Sequence, residues 1–236
     1  MSFRHTMDVA VDPFSQSPDQ ISFFVNVLCV LLMYGSAYLA NTGAMLFGKW
    51  IPDRTGMPVL IIDGGRNYSD GHRILGDGKS WNGLIGGGIF SGLLFILAHK
   101  LWDSDNFDSP FVDPLLYANS NDWFWLSEGA YGSITAAFIM GFTLGLACMI
   151  GDLAGSFVKR RRGLKREGDQ SSEAPLLDTI PFAIAIFLTS FILFDGQIIT
   201  HPNIVEEIIF LLLVTPVIHR LFNIIGYKLG LKEVPY

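Results

Sequence analysis

Residues 132–169 read GSITAAFIMGFTLGLACMIGDLAGSFVKRRRGLKREGD. No charge appears before Asp152, and six Lys and Arg then crowd between Lys159 and Arg166 before the segment turns acidic. A helical crossing of a bilayer needs about 20 mostly apolar residues, which the run supplies. A cationic cluster directly behind such a run is the flank that holds a helix end in the cytoplasm. The stretch therefore reads first as a membrane span, and its cluster as either topogenic flank or the seat of chemistry.

The rest of the chain supports the membrane reading. Of 236 residues 50% are hydrophobic and only 16% charged, and the mean hydropathy is +0.40, too apolar for a soluble domain with an ordinary polar surface. Five stretches qualify as spans: roughly 21–48, 83–101, 132–154, 180–199 and 204–226. The expected fold class is all-α integral membrane. An N-terminal arm, 1–20, precedes one five-span domain, 21–236, with polar loops at about 49–82 and 156–179 on one side and an outer loop at about 103–131. The segment before Ile21 carries Asp8, Asp12 and Asp19 and lacks the cationic start of a signal peptide, so the first span reads as uncleaved. Cys29 and Cys148 lie in separate spans, a spacing that suits buried small hydrophobes and neither a metal site nor a disulfide.

Alternating spans place fourteen of the sixteen Lys and Arg on one side, with only Arg4 and Lys100 on the other. The positive-inside bias then puts both polar loops and the C-terminus in the cytoplasm and the N-terminus outside. Acids segregate oppositely: Asp103, Asp105, Asp108, Asp113, Asp122 and Glu128 fall in the outer loop. Intramembrane charges, which mark ion paths and proton relays, are scarce except for His219 and Arg220 in the last span, read as snorkelling residues. Pro216 just before them is expected to kink that helix. Gly88 and Gly92, Gly141 and Gly145, and Gly151 and Gly155 share the spacing of closely packed membrane helices.

Unusual polar residues collect in the two basic loops. The run Gly76-Asp77-Gly78-Lys79-Ser80 suggests a P-loop, but the motif needs Gly where Arg73 stands, and no strand precedes it. A simpler anion site survives: Gly76 and Gly78 free backbone N–H groups, Lys79 adds charge, Ser80 a hydroxyl, and a helix N-terminus follows. On the third span Asp152, Ser156 and Lys159 share one helical face. Asp152 near a helix C-terminus opposes the dipole, so a salt bridge or a bound metal should hold it. Asp178, at the start of the next helix, is either an N-cap or a partner acid. Two acids across a basic loop suit a hard cation carrying a polyphosphate, Mg²⁺ being the natural one; a topogenic flank with structural acids would use the same residues.

The run Gly151-Asp152-x-x-Gly155-Ser156-Phe157-x-Lys159-Arg160-Arg161, with Asp178-x-x-Pro181-Phe182, Asp63-x-Gly65 and Gly76-x-x-Lys79-Ser80-Trp81-x-Gly83, resembles the archaeal CDP-archaeol synthase family. That family is related to bacterial phosphatidate cytidylyltransferases. The resemblance implies Mg²⁺-dependent transfer of CMP from CTP to 2,3-bis-O-(geranylgeranyl)-sn-glycerol 1-phosphate, an unsaturated archaeal ether lipid phosphate, yielding CDP-archaeol and pyrophosphate. Nucleic acid is not an expected partner. Asp152 and Asp178, with Asp63 third, would hold the metal. Lys159, Arg160 and Lys79 would act on the phosphates, and Gly76, Ser80 and Ser156 would line the nucleotide site. Asn41, in the family-like segment Ala40-Asn41-Thr42-Gly43-Ala44, reads equally as a site residue or a packing amide. Asn82 stands where the family usually has Arg, so no phosphate contact is carried to it. Arg161, Arg162, Lys165 and Arg166 are assigned to topology and headgroup attraction. Two alternatives have less support: a CDP-alcohol phosphotransferase, whose Ala-Arg and acid pair do not follow Asp63-Gly64, and a transporter, for which no inverted repeat is visible.

Overall fold

The computed structural model describes residues 23–102, 133–164, 175–193 and 205–230. The acidic arm 1–20, the outer loop 103–131, and Lys165 and Arg166 lie outside them, as do the side chains of Cys29 and Asp178. In chain order the helices are α1 (Phe23–Tyr38), α2 (Ala40–Met45), a π-helical turn (Leu46–Trp50), α3 (Ile51–Thr55), α4 (Trp81–Trp102), α5 (Ser133–Arg161), α6 (Pro175–Leu193) and α7 (Val205–Lys228). The described residues hold no strand, only isolated antiparallel bridges of Ile61 with Ser80 and Asn67 with Arg73.

Among the described residues four helical stretches are long and apolar enough to cross a membrane: Val30–Thr55, Trp81–Lys100, Ile134–Arg161 and Val205–Lys228. The remaining expected span, 180–199, falls on α6, which starts at Pro175; its apolar part among the described residues, Thr179–Leu193, is shorter than those four. The polar loops are also shorter than expected, because helix continues to Thr55 before the first and to Arg161 before the second.

The extension to Thr55 has a local cause. Pro52 cannot donate to the carbonyl one turn back, and its ring would crowd that carbonyl. The turn before it widens, and the Ile51 N–H reaches the Leu46 carbonyl five residues back. The chain leaves helix at Gly56, whose φ of +71° gives the left-handed cap.

Lipid tails are as apolar as leucine, so helices in a membrane associate through close packing, and the glycines supply it. Gly88 and Gly92 of α4 receive Leu146, Phe142 and Phe138 of α5, while Gly141 and Gly145 of α5 receive Phe95 and Ser91 of α4. The Ser91 hydroxyl donates to the Gly141 carbonyl at 2.7 Å across this seam. On the other side of α5, a methyl at Gly151 would lie 2.5 Å from Phe182 Cα and from the Pro181 carbonyl, and one at Gly155 2.6 Å from the Leu177 carbonyl. Helix α5 is thus the central post, with α4 and α6 drawn against it.

The core beside this post joins Val30, Met33, Tyr34 and Ala37 of α1 to Met140 and Leu144 of α5 and Phe182 and Ile186 of α6. Two hydroxyl ties cross it: Tyr34 with Ser190 at 2.6 Å, and Tyr38 with Thr215 of α7 at 3.0 Å. Buried hydroxyls in an apolar bundle need such partners.

Gly151→Ala should therefore lower the thermal midpoint in detergent micelles, at an overpacking cost of about 1–3 kcal/mol. Gly35→Ala is the control, since nothing lies within 4 Å of the methyl it adds, and should leave the midpoint unchanged or raised.

Candidate active site

The segment between α3 and α4 is built around a carboxylate taken out of water. Asp63 has no exposed side-chain surface. Its Oδ1 accepts from Arg73 Nη2 at 2.6 Å and the Gly65 N–H at 3.0 Å. Its Oδ2 accepts from Arg73 Nε at 3.3 Å and from the Leu75 and Gly76 N–H groups at 3.0 and 2.9 Å. Burial would raise the Asp63 carboxyl, but Arg73 and the Gly76, Leu75 and Gly65 amides outweigh it and hold it well below the usual carboxylate range. This corrects the expectation of Asp63 as a third metal ligand: both oxygens already serve the loop's own fold.

The ends of the same loop are laced together. The Ile62 N–H donates to the Lys79 carbonyl at 2.9 Å and the Trp81 N–H to the Leu60 carbonyl at 2.8 Å. The Asn82 amide accepts from the Leu60 N–H at 2.9 Å and donates to the Pro58 carbonyl at 3.3 Å, so this residue ties the loop shut. Ser80 caps α4, its hydroxyl accepting the Gly83 N–H at 3.1 Å. These closures deliver Gly76, Lys79 and Ser80 to the end of α5.

There Asp152, Ser156, Lys159 and Arg160 all line one cavity, as their helical spacing required. Asp152 is held by Lys79 in a salt bridge between the α3–α4 loop and α5, each side chain about one-fifth exposed (21% and 23%). Lys159, buried at 6%, and His219 line the same cavity. Helix α5 ends in a Schellman arrangement: the Gly163 N–H returns to the Arg160 carbonyl at 3.0 Å and the Leu164 N–H to the Lys159 carbonyl at 3.1 Å. Gly163 makes this possible with φ +69°, and Arg160 Nη1 bonds the Leu164 carbonyl at 2.7 Å.

The cavity measures about 820 Å³, within the range of small-molecule sites. Asn41, Gly76, Lys79, Ser80, Asp152, Ser156, Lys159 and Arg160 line it; Asp63 does not. Asp178 lies inside α6 and not ahead of it, so the N-cap reading fails, and its side chain is outside the described residues. Its neighbour Leu177 packs on Gly155, which sets the first turn of α6 beside this stretch of α5. Among the described residues no group of three or more His, Cys, Asp or Glu side chains forms a metal cage.

Sequence reasoning missed part of the wall. Tyr38, Met45 and Lys49 join the expected Asn41 in the lining, as do His219 and Asn223 of α7. His219 is therefore not a snorkelling residue: its ring lies 5.7 Å from Phe182, and its Nδ1 is 3.4 Å from the Asn223 amide. The spacing of 38, 41, 45 and 49, and of 219 and 223, places each set on one helical face, a signal available in the sequence.

The sequence model of the CarS-like family, described as CDP-archaeol synthase, matches residues 22–236. The CDP-archaeol synthase of Picrophilus torridus is 33% identical over 216 residues, covering 90% of this chain and 100% of that protein. That of Methanospirillum hungatei is 36% identical over 200 residues, 85% of this chain and 98% of that one. A solved structure described as "Structural insight into an intramembrane enzyme for archaeal membrane lipids biosynthesis" matches with a TM-score of 0.50 and 25% identity, over 80% of this chain and 90% of that one. With the apolar helices and the cavity, these matches define a multi-pass membrane enzyme. The chain belongs to the CDP-archaeol synthase family.

The Asp63 cradle predicts a pH response. Its carboxyl titrates below the unfolded value of about 3.9, so its stabilisation is complete above that pH and lost as pH falls through the lower folded-state value. Hydrogen-exchange protection of the Leu75 and Gly76 amides, corrected for intrinsic rates, should drop below about pH 4. In Asp63→Asn these amides should be weakly protected at every pH.

Proposed function

We propose that the protein transfers CMP from CTP to 2,3-bis-O-(geranylgeranyl)-sn-glycerol 1-phosphate, giving CDP-archaeol and pyrophosphate. One observation carries this reading: two motifs distant in sequence, 76–83 and 151–160, meet as one wall of a cavity through Lys79 and Asp152. Family membership supplies the nucleotide and the class of lipid.

The cavity opens at the basic end of the bundle, and the charge count puts that end on the cytoplasmic face of the cell membrane, with five spans, the N-terminus outside and the C-terminus inside. CTP is available there, and the acceptor lies in the bilayer alongside.

Nucleotidyl transfer asks the protein to align its reactants and to neutralise charge. Lys159, Arg160 and Lys79 bind the triphosphate, Arg160 by its fork and the lysines as point charges. The Gly76 region of the loop, held in shape by Asp63, lies beside the Arg160 guanidinium and adds a close backbone approach. Lys79 passes from Asp152 to the incoming phosphates, which frees the carboxylate. A phosphate oxygen of the lipid attacks the α-phosphorus of CTP, the bond from that phosphorus to the bridging oxygen breaks, and pyrophosphate leaves. The acceptor phosphate is already an anion, so no general base is required.

Magnesium is usually bound through one or two carboxylates together with substrate phosphates and water, and one wall carboxylate among cations fits that pattern. Asp152, with Asp178 as second acid, would hold Mg²⁺, which when bound neutralises charge on the triphosphate and on the departing pyrophosphate. Asn41 and Ser156 are kept as polar contacts of the nucleotide or its metal-bound water shell.

Purified protein should release pyrophosphate only when CTP, the lipid phosphate and Mg²⁺ are present together, with ATP, GTP and UTP inactive. Asp152→Asn should lower the rate by about 100-fold or more at an unchanged thermal midpoint. Release without lipid, or full activity in Asp152→Asn, would contradict the reading.

A further inference from the structure

Arg161, the last residue of α5, sits in a cluster whose spacing suggests a topogenic flank. Its side chain does not behave as one. It is 19% exposed, and its guanidinium is spent on the loop between α3 and α4. Nη1 donates to Asp70 Oδ1 at 2.9 Å, and Nη2 to the carbonyls of His72 at 3.2 Å and Arg73 at 2.5 Å. The plane lies over two rings, Tyr68 at 4.7 Å and Phe157 at 5.0 Å, which meet edge to face at 5.7 Å. Phe157 belongs to α5 and Tyr68 to the loop, so one guanidinium bolts the loop tip to the helix.

The tip is shaped to receive it. The Tyr68 N–H donates to the His72 carbonyl at 2.8 Å, and the Gly71 N–H to the Tyr68 carbonyl at 3.0 Å. The Asp70 oxygen that meets Arg161 also accepts the His72 N–H at 3.0 Å, so turn and clamp share an acceptor. Three oxygens and two ring faces match a planar fork with several donors; an ammonium would satisfy only some of them.

The clamp reaches the cavity through direct contacts. The carbonyl that Arg161 holds belongs to Arg73, whose side chain grips Asp63. Asp63 in turn fixes the Leu75 and Gly76 amides, and the Lys79 N–H donates to the Gly76 carbonyl at 3.2 Å. Gly76 and Lys79 line the cavity with Arg160, the residue before the clamp. Adjacent cations on α5 thus divide the work: Arg160 faces the cavity, and Arg161 fixes the loop opposite it.

We propose that Arg161 is a positioning residue for nucleotide binding, setting the 57–80 loop so that Gly76 and Lys79 meet the substrate phosphates. The ligand in this statement rests on the proposed cytidylyl transfer; the anchoring does not. Loss of the clamp should weaken binding of the polyphosphate substrate and leave the lipid acceptor nearly unaffected.

The test uses the full-length protein in lipid nanodiscs. In Arg161→Ala, exchange protection of the Leu75, Gly76 and Lys79 amides should fall by about tenfold or more, with Arg161→Lys intermediate. The KM for CTP should rise on the order of tenfold while that for the lipid phosphate stays within about twofold. If Arg161→Ala does not fold, Asp70→Asn, which removes one charged partner of the clamp, should show the same pattern at smaller size. Unchanged protection in a folded Arg161→Ala, or an equal rise in both KM values, overturns the proposal. A parent protein that releases no pyrophosphate sinks the transfer reading instead, and the exchange measurement then decides the anchoring alone.

Discussion

A carboxylate that leaves water must recover its hydrogen bonds from the protein, and in this molecule that demand falls on Asp63. It is met by one guanidinium and three backbone amides, all from the short stretch between Gly65 and Gly76. A loop with no strand takes the shape of its 65–76 stretch from that ion, and its ends from the Leu60, Ile62 and Asn82 closures. The path of Gly76 into the cavity wall follows from it directly.

The second constraint is the closeness of α5 to its neighbours. The small residues facing α4 and α6 bring backbones together where larger residues would hold them apart. This closeness brings the Asp152 face of α5 up to the start of α4, so that a lysine at the end of the loop can reach an acid within α5. Helix α5 runs on to Arg161, so Asp152 lies more than two turns from the helix end, and what the salt bridge answers is the withdrawal of a carboxylate from water. It also leaves the pair poised to separate when phosphates bring more negative charge into the cavity.

The basic cluster shows how far adjacent side chains can differ. Lys159 and Arg160 line the cavity, while Arg161 turns to Tyr68, Asp70 and the carbonyls of the loop tip. Successive residues on a helix point about 100° apart, so the division is geometric. A charge count treats the three alike, because what separates them is the partner each one meets.

Much of the fold could be read along the chain. Hydropathy runs and glycine spacing report the bilayer and helix packing directly, since both act on residues close in sequence. So did the face shared by Asp152, Ser156 and Lys159, which a helix fixes by its own period. Tertiary structure decided the rest. Asp63 became a structural anion because its donors surround it, and His219 became a cavity residue because α7 lies against that wall. Arg161 became a clamp because the loop carrying Asp70, 91 positions upstream, folds back on α5. Such assignments depend on which distant groups meet in space, and a local period carries no information about that.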